Sequence, residues 1–210
     1  MIITIDGPAA AGKGTLARRM AKHFNLAYLD TGLLYRAVGK KVLDQNGDPE
    51  DPELATSIAE TLETTDLEAD GLRTEDVGQA ASMVSAVPGV RAALLAFQRS
   101  FAAEPPNGAS GAVLDGRDIG TVVCPDATAK IFVTASAEVR AERRLKELLG
   151  RGSEAIYARV LEDMKERDAR DSSRATAPLE PAEDAKRLDT SDLDAEQAFA
   201  EALKFTNSKI

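Results

Sequence analysis

Nine residues near the start restrict the chain more than any others: Gly7-Pro8-Ala9-Ala10-Ala11-Gly12-Lys13-Gly14-Thr15. Before them, residues 2–6 are β-branched and end at a glycine, which reads as a short buried strand. After them, Leu16, Met20 and Phe24 recur at helical spacing. A strand, a loop of small residues and a helix in that order make a phosphate-binding loop. Gly7 and Gly12 let the backbone turn its N–H groups inward, and the helix N-terminus adds the positive end of its dipole. Lys13 supplies a point charge for β- and γ-phosphates. A bare Gly-x4-Gly-Lys arises by chance in roughly one chain in twenty of this length, and the flanking strand and helix make it far rarer. Residues 7–15 are therefore the candidate ATP-binding segment.

The rest of the chain alternates in the same way. Strands are expected at 26–29, 112–114, 130–133 and, weakly, 187–189. Asp30-Thr31-Gly32 opens a helix through Val42, and a short helix is expected from 52 to 62. Thr74 is a plain helix cap. Val87, Val90, Leu94, Phe97 and Phe101 step by threes and fours, the stripe of a core helix. Two arginine-rich helices are expected at 136–149 and 153–170, broken at Gly150-Arg151-Gly152. Thr190 or Ser191 is the expected cap of a last helix carrying Leu193, Phe199 and Leu203. Strands alternating with helices argue for an α/β fold with a parallel sheet covered on both faces.

Composition limits the partners. The formal net charge is −9, with 29 % charged and 43 % hydrophobic residues. An acidic surface repels nucleic acid and anionic membrane, so neither is an expected partner. No apolar run approaches the roughly 20 residues needed to span a bilayer, and the start is unlike a signal peptide. Cys124 is the only cysteine, so no intrachain disulfide can form; a plain buried thiol in a cytoplasmic protein is expected.

Against that acidic background, arginines are concentrated locally. Eight fall between Arg140 and Arg174. For any one of them a salt-bridged helix face is the plainer reading, but the cluster suits a lid over phosphates, because guanidinium groups spread charge over equatorial oxygens. Thr31, Tyr35 and Arg36 follow the second strand, at the carboxyl edge where α/β sheets bind ligands. Asp115-Gly116-Arg117-Asp118 follows the third. Asp115 there is placed to orient Mg²⁺ through water, and Arg117 to hold an acceptor phosphate bidentately. His23 reads as a surface residue. A nucleoside monophosphate needs no general base, since its second phosphate pKa lies near 6.

Together these residues resemble bacterial cytidylate kinases, over essentially the whole length. The resemblance rests on residues 3–8, Gly12-Lys13-Gly14-Thr15, Leu29-Asp30-Thr31-Gly32 with Tyr35-Arg36, and Arg73-Thr74-Glu75. It continues through Ala81-Ser82, Val90-Arg91, residues 115–123, Arg167-Asp168 to Asp171 and Arg174, and Ala177-Pro178-Leu179. The resemblance implies a P-loop fold with a parallel five-stranded sheet, Mg²⁺ with ATP, and CMP or dCMP as acceptor, in a cytoplasmic monomer. It implies a core of about 1–35, 88–140 and 175–210, an acceptor-binding insert at about 36–87 and a mobile lid at about 141–174. By position, Lys13 and its loop hold ATP phosphates, and Arg36, Arg117 and Arg174 hold the acceptor phosphate or the transferring group. Ser82, Arg91 and Asp118 read cytosine, Thr31 and Tyr35 line the acceptor pocket, and Arg167 and Asp171 contact the sugar. Lys13, Arg117, Arg174 and Asp115 form the expected catalytic set, with no metal ligand contributed directly.

Gly14 stands where phosphate loops usually carry Ser or Thr after the lysine, and this Gly-Lys-Gly-Thr variant is the one that nucleoside monophosphate kinases carry. Departures from the family pattern lie elsewhere. Thr31 and Ala9 stand where serine is common. The stretch between Glu60 and Arg73 is short and polar for the small antiparallel sheet usual in the insert. The nearest alternative is a kinase for AMP or dTMP, with shikimate more remote. A nucleotide switch lacks support, since none of the four asparagines is followed by lysine. A nucleic-acid binder is opposed by the charge and by the lack of aromatics interleaved with the arginines.

Overall fold

Ile2–Asp6 (β1), Ala112–Gly116 (β3) and Ala129–Thr134 (β4) carry too few polar side chains to face water on either side. In the computed structural model they form the middle of one parallel sheet, with Ala27–Asp30 (β2) and Lys186–Asp189 (β5) at its edges, in the order β2-β3-β1-β4-β5. The structure describes residues 1–152 and 154–210, and for Thr64 only the backbone. β5 exposes the charged Lys186 and Arg187, which suits an edge.

Alternate strand residues feed opposite faces. Ile3, Ile5, Val113, Ile131 and Val133 pack against Leu16, Ala17 and Met20 of Lys13–Phe24 (α1) and Ala198 and Ala202 of Ala195–Asn207 (α8). Ala112 and Leu114 pack on the other face, with Ile119, Val123 and the buried thiol of Cys124. A second apolar cluster joins Thr31–Asp44 (α2), Pro52–Glu60 (α3), Glu75–Val84 (α4) and Pro88–Ala103 (α5) through Leu34, Val38, Val42, Ile58, Val84, Val90 and Leu94. Ala137–Gly150 (α6) and Tyr157–Ser172 (α7) form a hairpin around Ala141, Leu148, Val160 and Met164. Among the described residues, 36–87 holds helices and a 3₁₀ turn at Thr64–Glu68 but no strand. No single helix is long and apolar enough to cross a membrane.

Three boundaries differ from expectation. β2 begins at Ala27, not Leu26, because Asn25 ends α1 at φ 52° and Leu26 donates its N–H back to Ala21 at 2.8 Å, so the helix end consumes it. α7 begins at Tyr157, where its apolar face starts; Ser153 lies outside the described residues. The last helix is capped by Asp194, which shares a capping box with Gln197. Thr190 instead donates to the carbonyls of Ala11 and Thr134, and Ser191 bonds Asp189.

Candidate functional site

β1 ends between β3 and β4, so the loop after Asp6 opens into the crevice at the carboxyl edge of the sheet. Gly7 adopts φ 144°, and a Cβ there would lie 1.9 Å from the carbonyl oxygen of Val133, so no other residue fits. Gly12, at φ 92°, is the N-cap of α1. The Lys13 ammonium is buried and donates to the Pro8 carbonyl at 2.8 Å. Burial, with Arg117 nearby, pulls its pKa down to about 7.

Register sets a carboxylate beside this loop. Asp115 pairs with Ile5 of β1 and Asp30 of β2 in the sheet. It accepts a hydrogen bond from the Tyr28 hydroxyl at 3.0 Å, and burial together with Asp30 pushes its pKa up to about 6. A Cβ on Gly14 would stand 3.3 Å from Asp115 Oδ2. A side chain at position 14 would press on that carboxylate. Among the described residues no three His, Cys, Asp or Glu side chains are grouped to hold a metal. Asp115 and Asp30 beside the loop fit a different arrangement: a Mg²⁺ that arrives with phosphate and keeps its waters.

The acceptor side is a cavity of about 60 Å³ bounded by α2, the α4–α5 junction, the end of β3 and α7. Thr31, Tyr35, Arg36, Arg91, Arg117, Asp118, Arg167, Asp171 and Arg174 all line it. Five guanidinium groups thus face two carboxylates, which makes an anion receptor. At one end Arg91 and Asp118, 9 % and 5 % exposed, form a buried ion pair, and Arg91 also donates to the Ser85 carbonyl. Asp171 organises two more arginines, accepting from Arg117 Nε at 2.9 Å and from Arg174. Burial opposes its charge, but Arg117, Arg174 and Arg167 hold its carboxyl below the usual carboxylate range. Arg36 donates to the carbonyl of Leu72 at 2.8 Å. Thr31 is no cap: its hydroxyl donates to the Asp115 carbonyl at 2.7 Å.

The α6–α7 hairpin leans on this site. Arg140 of α6 donates to both oxygens of Asp168 on α7, at 3.1 and 2.5 Å, and to the Ala9 carbonyl of the loop at 3.3 Å. Arg144 pairs with Glu75 of α4, and Arg151 donates to the Arg73 carbonyl at 3.0 Å. Arg167 borders both the acceptor cavity and a larger space of about 660 Å³ above Ala9 and Ala10. Its Nε is buried without a partner, and burial, with Arg117 nearby, lowers its pKa to about 9. A third cavity, of about 310 Å³, lies on the other flank of the loop, lined by Gly12, Thr15, Arg143 and Thr190 among others.

Of the expected acceptor residues only Ser82 stays off the cavity wall; its hydroxyl is buried and unpartnered. Ser85, one turn on, lines the wall and accepts from Arg174 at 2.6 Å. Sequence reading passed over Ser85, Arg140, Arg144 and Asp6, since a small hydroxyl, two arginines among eight and a strand-end acid carry no pattern of their own. His23 is exposed, edge-on to Phe24 and Phe199, in the last turn of α1, at the opposite end of that helix from Lys13.

With this geometry in place, the chain compares as follows with known proteins. A family model described as cytidylate kinase matches residues 3–208. A protein named cytidylate kinase from Paramagnetospirillum magneticum is 64 % identical over 99 % of this chain and 98 % of its own length. One of the same name from Methylocella silvestris is 60 % identical over 99 % and 94 %. Among solved structures, an uncharacterized protein from Eubacterium ventriosum aligns over 99 % of both chains with a TM-score of 0.56 at 16 % identity, a likeness of fold alone.

Proposed function

The chain belongs to the cytidylate kinase family, and on that premise we propose how its residues move the γ-phosphate of ATP onto CMP or dCMP, giving ADP and CDP or dCDP. Residues 7–15 cradle the ATP phosphates with backbone N–H groups, and Lys13 grips the β- and γ-oxygens. The nucleoside of ATP lies in the cavity beside Thr15, Arg143 and Thr190, where the phosphate chain leaves the loop. Arg36, Arg117 and Arg174 hold the acceptor phosphate, and Arg167, which borders both the acceptor cavity and the larger space above Ala9 and Ala10, reaches the transferring group as well as the sugar. Residues 36–87 serve as the acceptor insert and 141–174 as the lid on a core of 1–35, 88–140 and 175–210.

The buried Arg91–Asp118 pair carries this reading. Cytosine presents an amine donor at N4 beside acceptors at N3 and O2. A carboxylate next to a guanidinium matches that edge, whereas uracil reverses the N3 and position-4 groups. Thr31 and Tyr35 complete the pocket wall, with the buried Ser82 hydroxyl off that wall. The acceptor oxygen is already ionised at neutral pH, so no side chain removes a proton; positioning, charge and exclusion of water do the work. Asp115 with Asp30 would hold, through its waters, the Mg²⁺ that arrives with ATP, which would supply positive charge to the phosphates. The enzyme works as a monomer in the cytoplasm, where both nucleotides are found.

Arg91→Ala tests the assignment. KM for CMP is expected to rise about tenfold or more while KM for ATP stays within about twofold. Equal changes in both would remove Arg91 from the base site.

A further inference from the structure

Asp6 has no part in the chemistry described so far, yet it is buried at 5 % exposure in the residue directly before the phosphate loop. Both its oxygens are used. Oδ1 accepts the N–H of Ile119 and Oδ2 the N–H of Gly120, each at 2.8 Å. These two amides open a tight π-helical turn, Ile119–Val123. The turn is closed by bonds from Val122 to the Asp118 carbonyl at 2.9 Å and from Cys124 to the Ile119 carbonyl at 2.7 Å. The first N–H groups of any helical turn lack partners within it, and here one carboxylate from another strand supplies them. The turn lies close against β1: a Cβ on Gly120 would sit 2.9 Å from Thr4 Oγ1 and 3.3 Å from Asp6 Oδ2.

Asp118 is the residue immediately before that bonded pair, and Arg117 precedes it. The phosphate loop leaves Asp6 on its other side. One side chain therefore fixes the origin of the donor loop relative to the turn that presents Asp118 to Arg91. We propose that Asp6 is a positioning residue for the acceptor base: it holds the 118–120 turn so that Asp118 and Arg91 meet cytosine at the right height. This rests on the assignment of Arg91 and Asp118 to the base. The donor loop is pinned independently, by the close approach of Gly7 to Val133, so ATP affinity does not depend on Asp6.

Asp6→Asn keeps the size but offers one oxygen where two are needed, leaving one amide without its acceptor. At pH 8, above the value of about 7 to which burial raises the Asp6 carboxyl, the wild-type side chain is ionised and accepts both bonds. In steady-state kinetics at that pH, Asp6→Asn is expected to raise KM for CMP about tenfold with KM for ATP within about twofold. In an Arg91→Ala background the same change is expected to add less than about twofold, because the pair it positions is already broken. A Tm drop with both KM values unchanged, or equal and additive effects in the two backgrounds, would reduce Asp6 to a structural residue and overturn the proposal. Loss of the Arg91 effect alone would instead strike at the base-site assignment. If Asp6→Asn does not fold, the wild-type protein still gives an answer by amide hydrogen exchange. Ile119 and Gly120 are expected to be protected without nucleotide, and fast exchange at both would overturn the proposal.

Discussion

Lys13 sits where its own charge is unfavourable. Buried beside Arg117, its ammonium has a pKa of about 7 against 10.5 for an ordinary lysine. Between those values the unfolded chain binds a proton that the folded chain does not, so this group's contribution to stability without nucleotide rises with pH across that window and levels off at its lowest below about 7. Phosphate reverses the balance by favouring the charged form. ATP binding at pH 8 is therefore expected to take up about one proton, and binding at pH 6 almost none. Calorimetry in two buffers of different ionisation enthalpy measures this, and zero uptake at pH 8 would contradict the assignment. Lys13→Ala is expected to abolish turnover in an ADP-release assay; a near-normal rate would remove Lys13 from the phosphates. At this scale the sequence was most legible where charge and backbone need coincide, as at Gly7, Gly12, Lys13, Arg91 and Arg117. Ser85 and Asp6 were not, because their roles come from register and from a turn that only the folded chain brings near.

The α6–α7 hairpin is tied down in two directions. Arg140 ties α6 to α7 and to the loop, while Arg144 ties α6 to Glu75 on α4. The second tie spans 69 residues of sequence and joins the expected lid to the expected insert. Glu75, 41 % exposed, and Arg144, 15 % exposed, form a pair of modest worth, about 1 kcal/mol or less. Glu75→Gln is expected to speed tryptic cleavage after Arg151 several-fold in the free protein and to leave the rate unchanged with both nucleotides bound. An identical rate in the free protein would show that the contact does not hold the lid. Helices with an apolar stripe, such as α5, were legible to within a residue or two. The α8 cap and the π-turn after Asp118 were not: Thr190 and Asp194 are equally good caps on paper, and Ile119, Val122 and Val123 fall at helical spacing but over only one turn, too short a run to read as a helix. The start of α7 was set by the apolar face it buries, which begins at Tyr157.

Seen whole, the molecule places every candidate group at one edge of one sheet. Asp6, Asp30, Asp115 and Gly116 end adjacent parallel strands in register, so the donor loop and the acceptor turn follow from topology rather than from any local signal. The alternation of strands and helices made that topology legible. The closeness of the acceptor cavity was not legible. At about 60 Å³ it is smaller than a nucleotide, and its arginines meet Asp118 and Asp171 instead of phosphate. A nucleotide fits this cavity only when its walls move apart. The most direct test is ADP release from ATP in the presence of CMP, dCMP, UMP, AMP or dTMP at matched concentration. CMP and dCMP are expected to exceed the others by at least about tenfold in kcat/KM, a preference lost in Arg91→Ala; faster turnover of AMP or dTMP by the wild-type protein would contradict the account.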